Sequence, residues 1–165
     1  MEVVSDISNV FFDVVALTKK ISLSKNTGET VVLTNGCFDI LHIGHVRYLQ
    51  DAADQGDKLV VALNSDDSVK LLKGDNRPIV PLQERMELLA SLRCVDWVIP
   101  FYEETPLNII SALKPDILVK GGDYTIDQIV GADFVLNNGG EVLSLPFWDG
   151  FSTSNIIEKI SKLEK

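Results

Sequence analysis

The 165-residue sequence lacks several features that would point its reading elsewhere. Two cysteines, Cys37 and Cys94, are too few for a disulfide framework, and they lack the spacing of a zinc site. No run approaches the roughly 18 apolar residues of a membrane span, and no basic segment leading into an apolar stretch opens the chain. Internal repeats, low-complexity tracts and Pro/Gly-rich linkers are absent as well. These absences predict one domain over 1–165, with no membrane association and a cytoplasmic location. Positive charge is also scarce: 15 Lys and Arg stand against 24 Asp and Glu, a net charge of −9. Such a surface argues against a nucleic-acid groove, which needs a basic face to displace counterions. It leaves room for a small anionic substrate, which responds to local charge.

What is present reads as an ordinary globular core, 45% apolar and 24% charged. Ile7, Val10, Phe11, Val14, Val15 and Leu17 recur at helical spacing, so Ile7–Leu23 is expected to be a helix, within an N-terminal helical extension over 1–25. A catalytic core over 30–160 then alternates. Strands are predicted at Thr30–Thr34, Lys58–Leu63, Asp96–Ile99, Ile117–Val119 and Glu141–Leu145. Helices are predicted at His45–Gln55, stopped by Gly56, at Pro81–Ser91, from Thr105-Pro106 to Leu113 with Thr105 as N-cap, and at Ser152–Leu163. Asn64–Asp67 reads as a turn or helix-cap cluster, and Lys73–Val80 as a polar loop. Strict alternation implies an α/β fold, a Rossmann-like doubly wound parallel sheet with helices on both faces. Ligands of such sheets lie beyond the carboxyl ends of the strands, and each loop of chemical interest here follows a strand.

The chemistry concentrates in Asn35–His45, NGCFDILHIGH, between the first predicted core strand and a helix. His42 and His45 are three residues apart, so a helical turn puts both imidazoles on one face. Gly44 between them lets a ligand come near the backbone, and free N–H groups at a helix start favour phosphate. Two imidazoles there can donate hydrogen bonds to phosphates whose charge grows in a transition state. Both histidines of the chain fall in this motif. A capping and a structural histidine would be the plainer reading. A zinc pair lacks a third ligand cluster, so no metal site is expected. Lys120, Gly121, Gly122 and Asp123 follow the fourth strand. The two glycines allow close backbone approach to a base or ribose, and Asp123 can accept from a hydroxyl or amine.

GCFDILHIGH resembles the signature of the HIGH-motif nucleotidyltransferases, and the resemblance runs from about Thr30 to Ile160. Three later stretches narrow it: Leu72-Lys73-Gly74-Asp75-Asn76-Arg77-Pro78, Leu118-Val119-Lys120-Gly121-Gly122-Asp123-Tyr124, and Gly150-Phe151-Ser152-Thr153-Ser154-Asn155-Ile156-Ile157. Together they resemble the adenylyltransferase half of the ADP-heptose synthases of lipopolysaccharide-core biosynthesis. Many of those carry the unit behind a ribokinase-type sugar kinase. A chain of this length is then expected to be a free-standing version or an excised domain, with any sugar kinase a separate partner enzyme.

The resemblance implies transfer of AMP from ATP, with Mg²⁺, to D-glycero-β-D-manno-heptose 1-phosphate, releasing pyrophosphate. His42, His45 and Lys73 would be catalytic, with Lys70 as the alternative lysine. Gly36, Cys37, Phe38, Gly44, Gly121, Gly122, Asp123, Ser152, Thr153 and Ser154 would bind nucleotide, the last three against the β- and γ-phosphates. Cys37 would lend its backbone and Asp39 would orient the histidine loop. Arg77, Arg85 and Lys120 are candidates for the substrate phosphate, because guanidinium suits bidentate contact. Two plainer roles stay open: Arg77 holding its loop, and Arg85 pairing with Glu84 or Asp75 on a helix surface. Phe147 stands where several cytidylyltransferases carry arginine, a departure that weakens a cytidylyltransferase assignment.

Two alternatives accompany this expectation: a cytidylyltransferase acting on glycerol 3-phosphate or a related alcohol phosphate, and a non-catalytic nucleotide-binding module. A synthetase-like activator is disfavoured by the length and the net charge. Homo-oligomer formation is left open, with the N-terminal helix able to pack on its own domain or on a second subunit.

Overall fold

The computed structural model describes residues 8–146 and 150–163, so Ile7 and Phe147 lie outside the described residues. The five strands are β1 (Val31–Gly36), β2 (Lys58–Asn64), β3 (Trp97–Phe101), β4 (Ile117–Gly121) and β5 (Glu141–Leu145). They are parallel throughout and lie in the order β3-β2-β1-β4-β5. The helices are α1 (Val14–Asn26), α2 (Ile43–Ala53), α3 (Asp66–Lys73), α4 (Leu82–Ala90), α5 (Leu107–Leu113), α6 (Ala132–Asn137) and α7 (Thr153–Ser161). None of the helices described is long and apolar enough to cross a membrane.

The period-two alternation of the strands divides the core. Val31 and Leu33 of β1 pack with Leu17, Ile21, Ile110, Leu113 and Val135 on the face covered by α1, α5 and α6. Val32 of β1 packs with Leu49, Val61, Leu63, Met86 and Leu89 on the face covered by α2 and α4. Chain order reverses at β1: β2 and β3 build outward on one side, β4 and β5 on the other. That switch opens a crevice between the carboxyl ends of β1 and β4, the usual ligand position of a doubly wound sheet.

Four sequence expectations are corrected. The first helix starts at Val14, capped by the Asp13 carboxylate. Residues 9–11 lie along the outer edge of β3 in a single parallel bridge, where Phe11 N–H donates to the Val98 carbonyl and Val98 N–H to the Asn9 carbonyl. Those pairings satisfy an exposed strand edge, which outweighs the helical spacing of Val10 and Phe11. Asn64–Asp67 is a helix cap, one of its two expected forms, with Ser65 capping α3; the helix body Asp66–Lys73 is not among the expected helices, because its apolar pattern is short and leaves Leu71 and Leu72 exposed. The helix expected to be capped by Thr105 is preceded instead by Pro106, whose side chain makes no cap bond. A 3₁₀ turn (Ile126–Gln128) and the six-residue α6 fill the span between β4 and β5, which is too short for a periodic signal.

Candidate functional site

At the carboxyl end of β1 the chain turns through Cys37, then Phe38 in a left-handed conformation (φ 44°), into α2. His42 is the N-cap of α2, and its Nδ1 accepts from the His45 N–H at 3.3 Å. An accepting Nδ1 in a neutral ring leaves Nε2 with the proton. The two imidazoles stack with centroids 3.7 Å apart and 18° between planes, and Phe38 meets His45 edge-on at 5.1 Å. Burial holds both histidines below the ordinary imidazole range; in His45, with His42 adding to it, the pKa falls to about 4. Both rings are therefore neutral donors at pH 7. His45 Nδ1 is buried and has no hydrogen-bond partner, a cost of about 1–3 kcal/mol that marks a position kept for something other than packing.

The last motif folds back onto this pair. Ser152 caps α7 through a 3.0 Å bond from Asn155 N–H, and Thr153 Oγ1 donates to the Ile40 carbonyl at 3.3 Å. Phe151 lies under the Arg47 guanidinium, 5.7 Å from ring centroid to Cζ. A Cβ at Gly44 would sit 2.9 Å from Phe151 Cβ and 3.0 Å from His42 Nδ1. Gly44 is thus needed for the approach of the 150–153 segment. A cavity of about 170 Å³ opens here, lined by His42, Phe151, Ser152, Asn155 and Lys159 among others. The free N–H groups of α7 add partial positive charge nearby. Ser154 is exposed at the first turn of α7.

A second group gathers around Cys37. Lys73, Arg85, Lys120 and Arg77 all act on its thiol electrostatically and favour the thiolate, yet burial prevails and pushes the thiol up. Cys37 is therefore a neutral thiol with four cationic side chains near enough to act on it. Lys120 is drawn below its ordinary range by burial, reinforced by Lys73, and its Nζ reaches Asn35 Oδ1 at 3.5 Å. A half-buried ammonium with so weak a partner and a cationic neighbour is well prepared for an anion. Lys73 is exposed in the last turn of α3 rather than on the loop expected for it. Lys70 pairs with Asp67 at 3.8 Å on the surface of α3. Asp123 is exposed beyond β4, after the buried Gly122 (φ 123°).

Two expected phosphate ligands are engaged elsewhere. Arg85 is fully buried, not a surface cation. Its guanidinium donates to the carbonyls of Cys37 (2.6 Å), Asn64 (2.9 Å) and Val80 (3.0 Å), and to the Asp66 carboxylate (2.7 Å). It crosslinks the ends of β1 and β2 to the starts of α3 and α4, and its partner is neither Glu84 nor Asp75. Arg77 donates to Asp39, whose other oxygen accepts from Ile79 N–H at 2.8 Å and Val80 N–H at 2.9 Å. Asp39 thereby pins the 74–80 segment to the histidine loop.

The sequence reading did not single out Tyr48 or the Asn35 and Asn64 amides. Tyr48 follows His45 by three residues on α2, a spacing that could have drawn attention to it. Asn35 and Asn64 stand in segments the sequence did mark, the Asn35–His45 motif and the Asn64–Asp67 cap cluster, but nothing local assigns a partner to their amides.

Residues 33–159 match the family described as Cytidylyltransferase-like. The chain is 62% identical over 144 residues to the bifunctional protein HldE of Hydrogenovibrio crunogenus, covering 87% of this chain and 30% of that protein. It is 54% identical over 145 residues to the bifunctional protein HldE of Coxiella burnetii, covering 88% and 30%. The chain thus spans about 30% of the length of the curated relatives it matches. Among solved structures, a lipopolysaccharide core biosynthesis protein from Thermoplasma volcanium superposes with a TM-score of 0.58 at 29% identity, over 73% of this chain and 98% of that one.

Proposed function

From the premise that the chain belongs to the cytidylyltransferase-like family, we propose that it is an adenylyltransferase, transferring AMP from ATP to D-glycero-β-D-manno-heptose 1-phosphate. The observation that carries the reading is the stacked, neutral His42–His45 pair at the start of α2, with the unpartnered Nδ1 of His45. The substrate assignment rests on the KGGDY and GFSTSN stretches and on the similarity to HldE proteins.

A sugar phosphate is already an anionic nucleophile, so the protein need supply neither a nucleophile nor a strong base. One sugar-phosphate oxygen forms a bond to the α-phosphorus of ATP as the bond from that phosphorus to the bridging oxygen of pyrophosphate breaks. The work left to the protein is alignment of two anions and stabilisation of the charge that builds between them. His42 and His45 donate to the reacting phosphates as neutral hydrogen-bond donors. Lys73 and Lys120 offset charge, and the start of α7 with Ser152 and Thr153 receives the departing pyrophosphate. Gly36, Cys37, Phe38, Gly121, Gly122 and Asp123 form the walls of the nucleotide crevice, with Ser154 at its α7 border. Arg77, Arg85 and Asp39 hold the loops in register.

Among the described residues no three His, Cys, Asp or Glu side chains converge as a metal cage. The residues present do not fit a dedicated Mg²⁺ site; the ion enters as part of the ATP substrate, held by its phosphates and waters.

The family description favours one second reading, cytidylyl transfer to an alcohol phosphate. Pyrophosphate release measured with heptose 1-phosphate and each of the four nucleoside triphosphates separates the two. The expected result is ATP-dependent release, with His45→Ala lowering kcat by about 10²–10³-fold, the usual effect of losing one transition-state donor. Preference for CTP, or turnover with glycerol 3-phosphate alone, overturns the heptose assignment.

A further inference from the structure

Hydrogen-bond pairing between β1 and β4 ends early. It runs from Val32↔Ile117 to Thr34↔Val119, whereas β1 continues against β2 to Gly36↔Leu63 and β4 against β5 to Gly121↔Leu145. The last two residues of both central strands therefore face each other across a gap. Among the described residues, two side chains span it. One is Lys120, in its long contact with Asn35. The other is Tyr48, which enters from α2.

The phenol of Tyr48 lies on the floor of this gap. Its oxygen is 2.6 Å from Thr34 Oγ1 on one strand and 3.5 Å from the Val119 carbonyl on the other. Gly122 N–H turns outward to the Leu145 carbonyl, so alternation turns Gly121 N–H inward, toward the phenol oxygen. The ring lies so close beneath Gly121 that a Cβ there would be 2.9 Å from Tyr48 Cε2. Burial pushes the phenol up to about 12, so the group stays a neutral donor and acceptor.

We propose that Tyr48 is a positioning residue for the nucleotide: a strut whose hydroxyl and ring set the spacing between the Gly36–Cys37 turn and the Gly121–Gly122 backbone. The proposal rests on the nucleotide reading of the crevice. Filling the space alone would need no hydroxyl, because phenylalanine or leucine satisfies a core position and avoids burying a polar atom. The oxygen bonds the last paired rung, Thr34 and Val119, directly below the point where the ladder stops. That is the point at which a shift of a few tenths of an ångström would alter how closely Gly121 approaches a base or ribose. Net stability from one such bond is modest, about 1 kcal/mol, so its larger effect falls on the crevice.

The test uses Tyr48→Phe, which keeps the ring, and Thr34→Val, which removes the hydroxyl it meets. Each is expected to raise KM for ATP about three- to tenfold, the size of one lost hydrogen bond in binding terms. Change in kcat should be smaller, and KM for the sugar phosphate should hold. The double variant should be no worse than either single one, because both remove the same link. Amide hydrogen exchange in the ligand-free protein supplies an independent arm: Tyr48→Phe is expected to speed exchange at Gly121 and leave Leu118 as in wild type. Unchanged KM for ATP in Tyr48→Phe, accompanied only by a lower Tm, overturns the proposal. Wild-type protein that binds no nucleotide overturns the proposed function instead. Exchange at Gly121 then decides the strut alone, and unaltered exchange overturns it.

Discussion

His42 Nδ1 accepts the backbone N–H of His45 while the two imidazoles stack 3.7 Å apart. One contact thus caps α2, fixes a tautomer and holds the second ring in place. Neither ring can take a proton easily, since both are partly buried and a charge on one would repel a charge on the other. In the proposed function the site would meet phosphate with neutral donors and leave positive charge to the lysines.

A pH dependence of stability follows from His45. Its pKa lies near 4 in the folded protein against about 6.5 in the unfolded chain. The unfolded chain therefore binds more protons between these values, and stability falls as pH drops from about 6.5 to about 4. Above 6.5 this contribution is fully present. Urea unfolding at pH 7 and pH 5 is expected to show the loss, with a smaller difference in His45→Gln. An identical pH dependence in that variant would rule out His45 as its source.

Lys73→Ala should lower kcat far more than stability. The side chain is exposed at the end of α3, so its removal leaves no buried group unpaired. Loss of one charge-assisted phosphate contact corresponds to roughly tenfold to a hundredfold in rate. Steady-state kinetics beside thermal melts check this. A large Tm decrease with intact turnover would reject the role.

Arg85→Met should behave in the opposite sense. It leaves the Cys37, Asn64 and Val80 carbonyls without their guanidinium partner, and a loss of about 3 kcal/mol or more in urea unfolding is expected. Arg85→Lys should recover little of it, because an ammonium cannot reproduce the planar fork that reaches four acceptors. Wild-type stability with reduced phosphate affinity would instead return Arg85 to the ligand role expected from sequence.

Local signals made the parallel α/β alternation legible. The β-branched runs, Gly56 after α2 and the His-x-Gly-His motif after β1 are features of a few consecutive residues, and the structure has the strands close to where they were expected. Val10 and Phe11 show where such signals end: helical spacing is present, yet the open edge of β3 recruits the segment in a parallel bridge. Short elements such as α6 lie below the length at which periodicity can be read.

The candidate site divides in the same way. Sequence alone determined which residues could carry chemistry, because His42 and His45, the Lys120–Asp123 turn and the Ser152–Ser154 cap are contiguous motifs. It also determined that binding charge must be local, since the chain as a whole carries −9. Tertiary structure decided which cations are free to meet a substrate. Arg77 and Arg85 look like Lys73 in one dimension, but the pairing of Arg77 with Asp39, and the burial of Arg85 beside Asp66 and three backbone carbonyls, engage them in holding the loops. Only the fold could decide this, because a guanidinium's partners lie up to 48 positions away in the chain and a lost buried hydrogen bond costs more than a surface charge contributes.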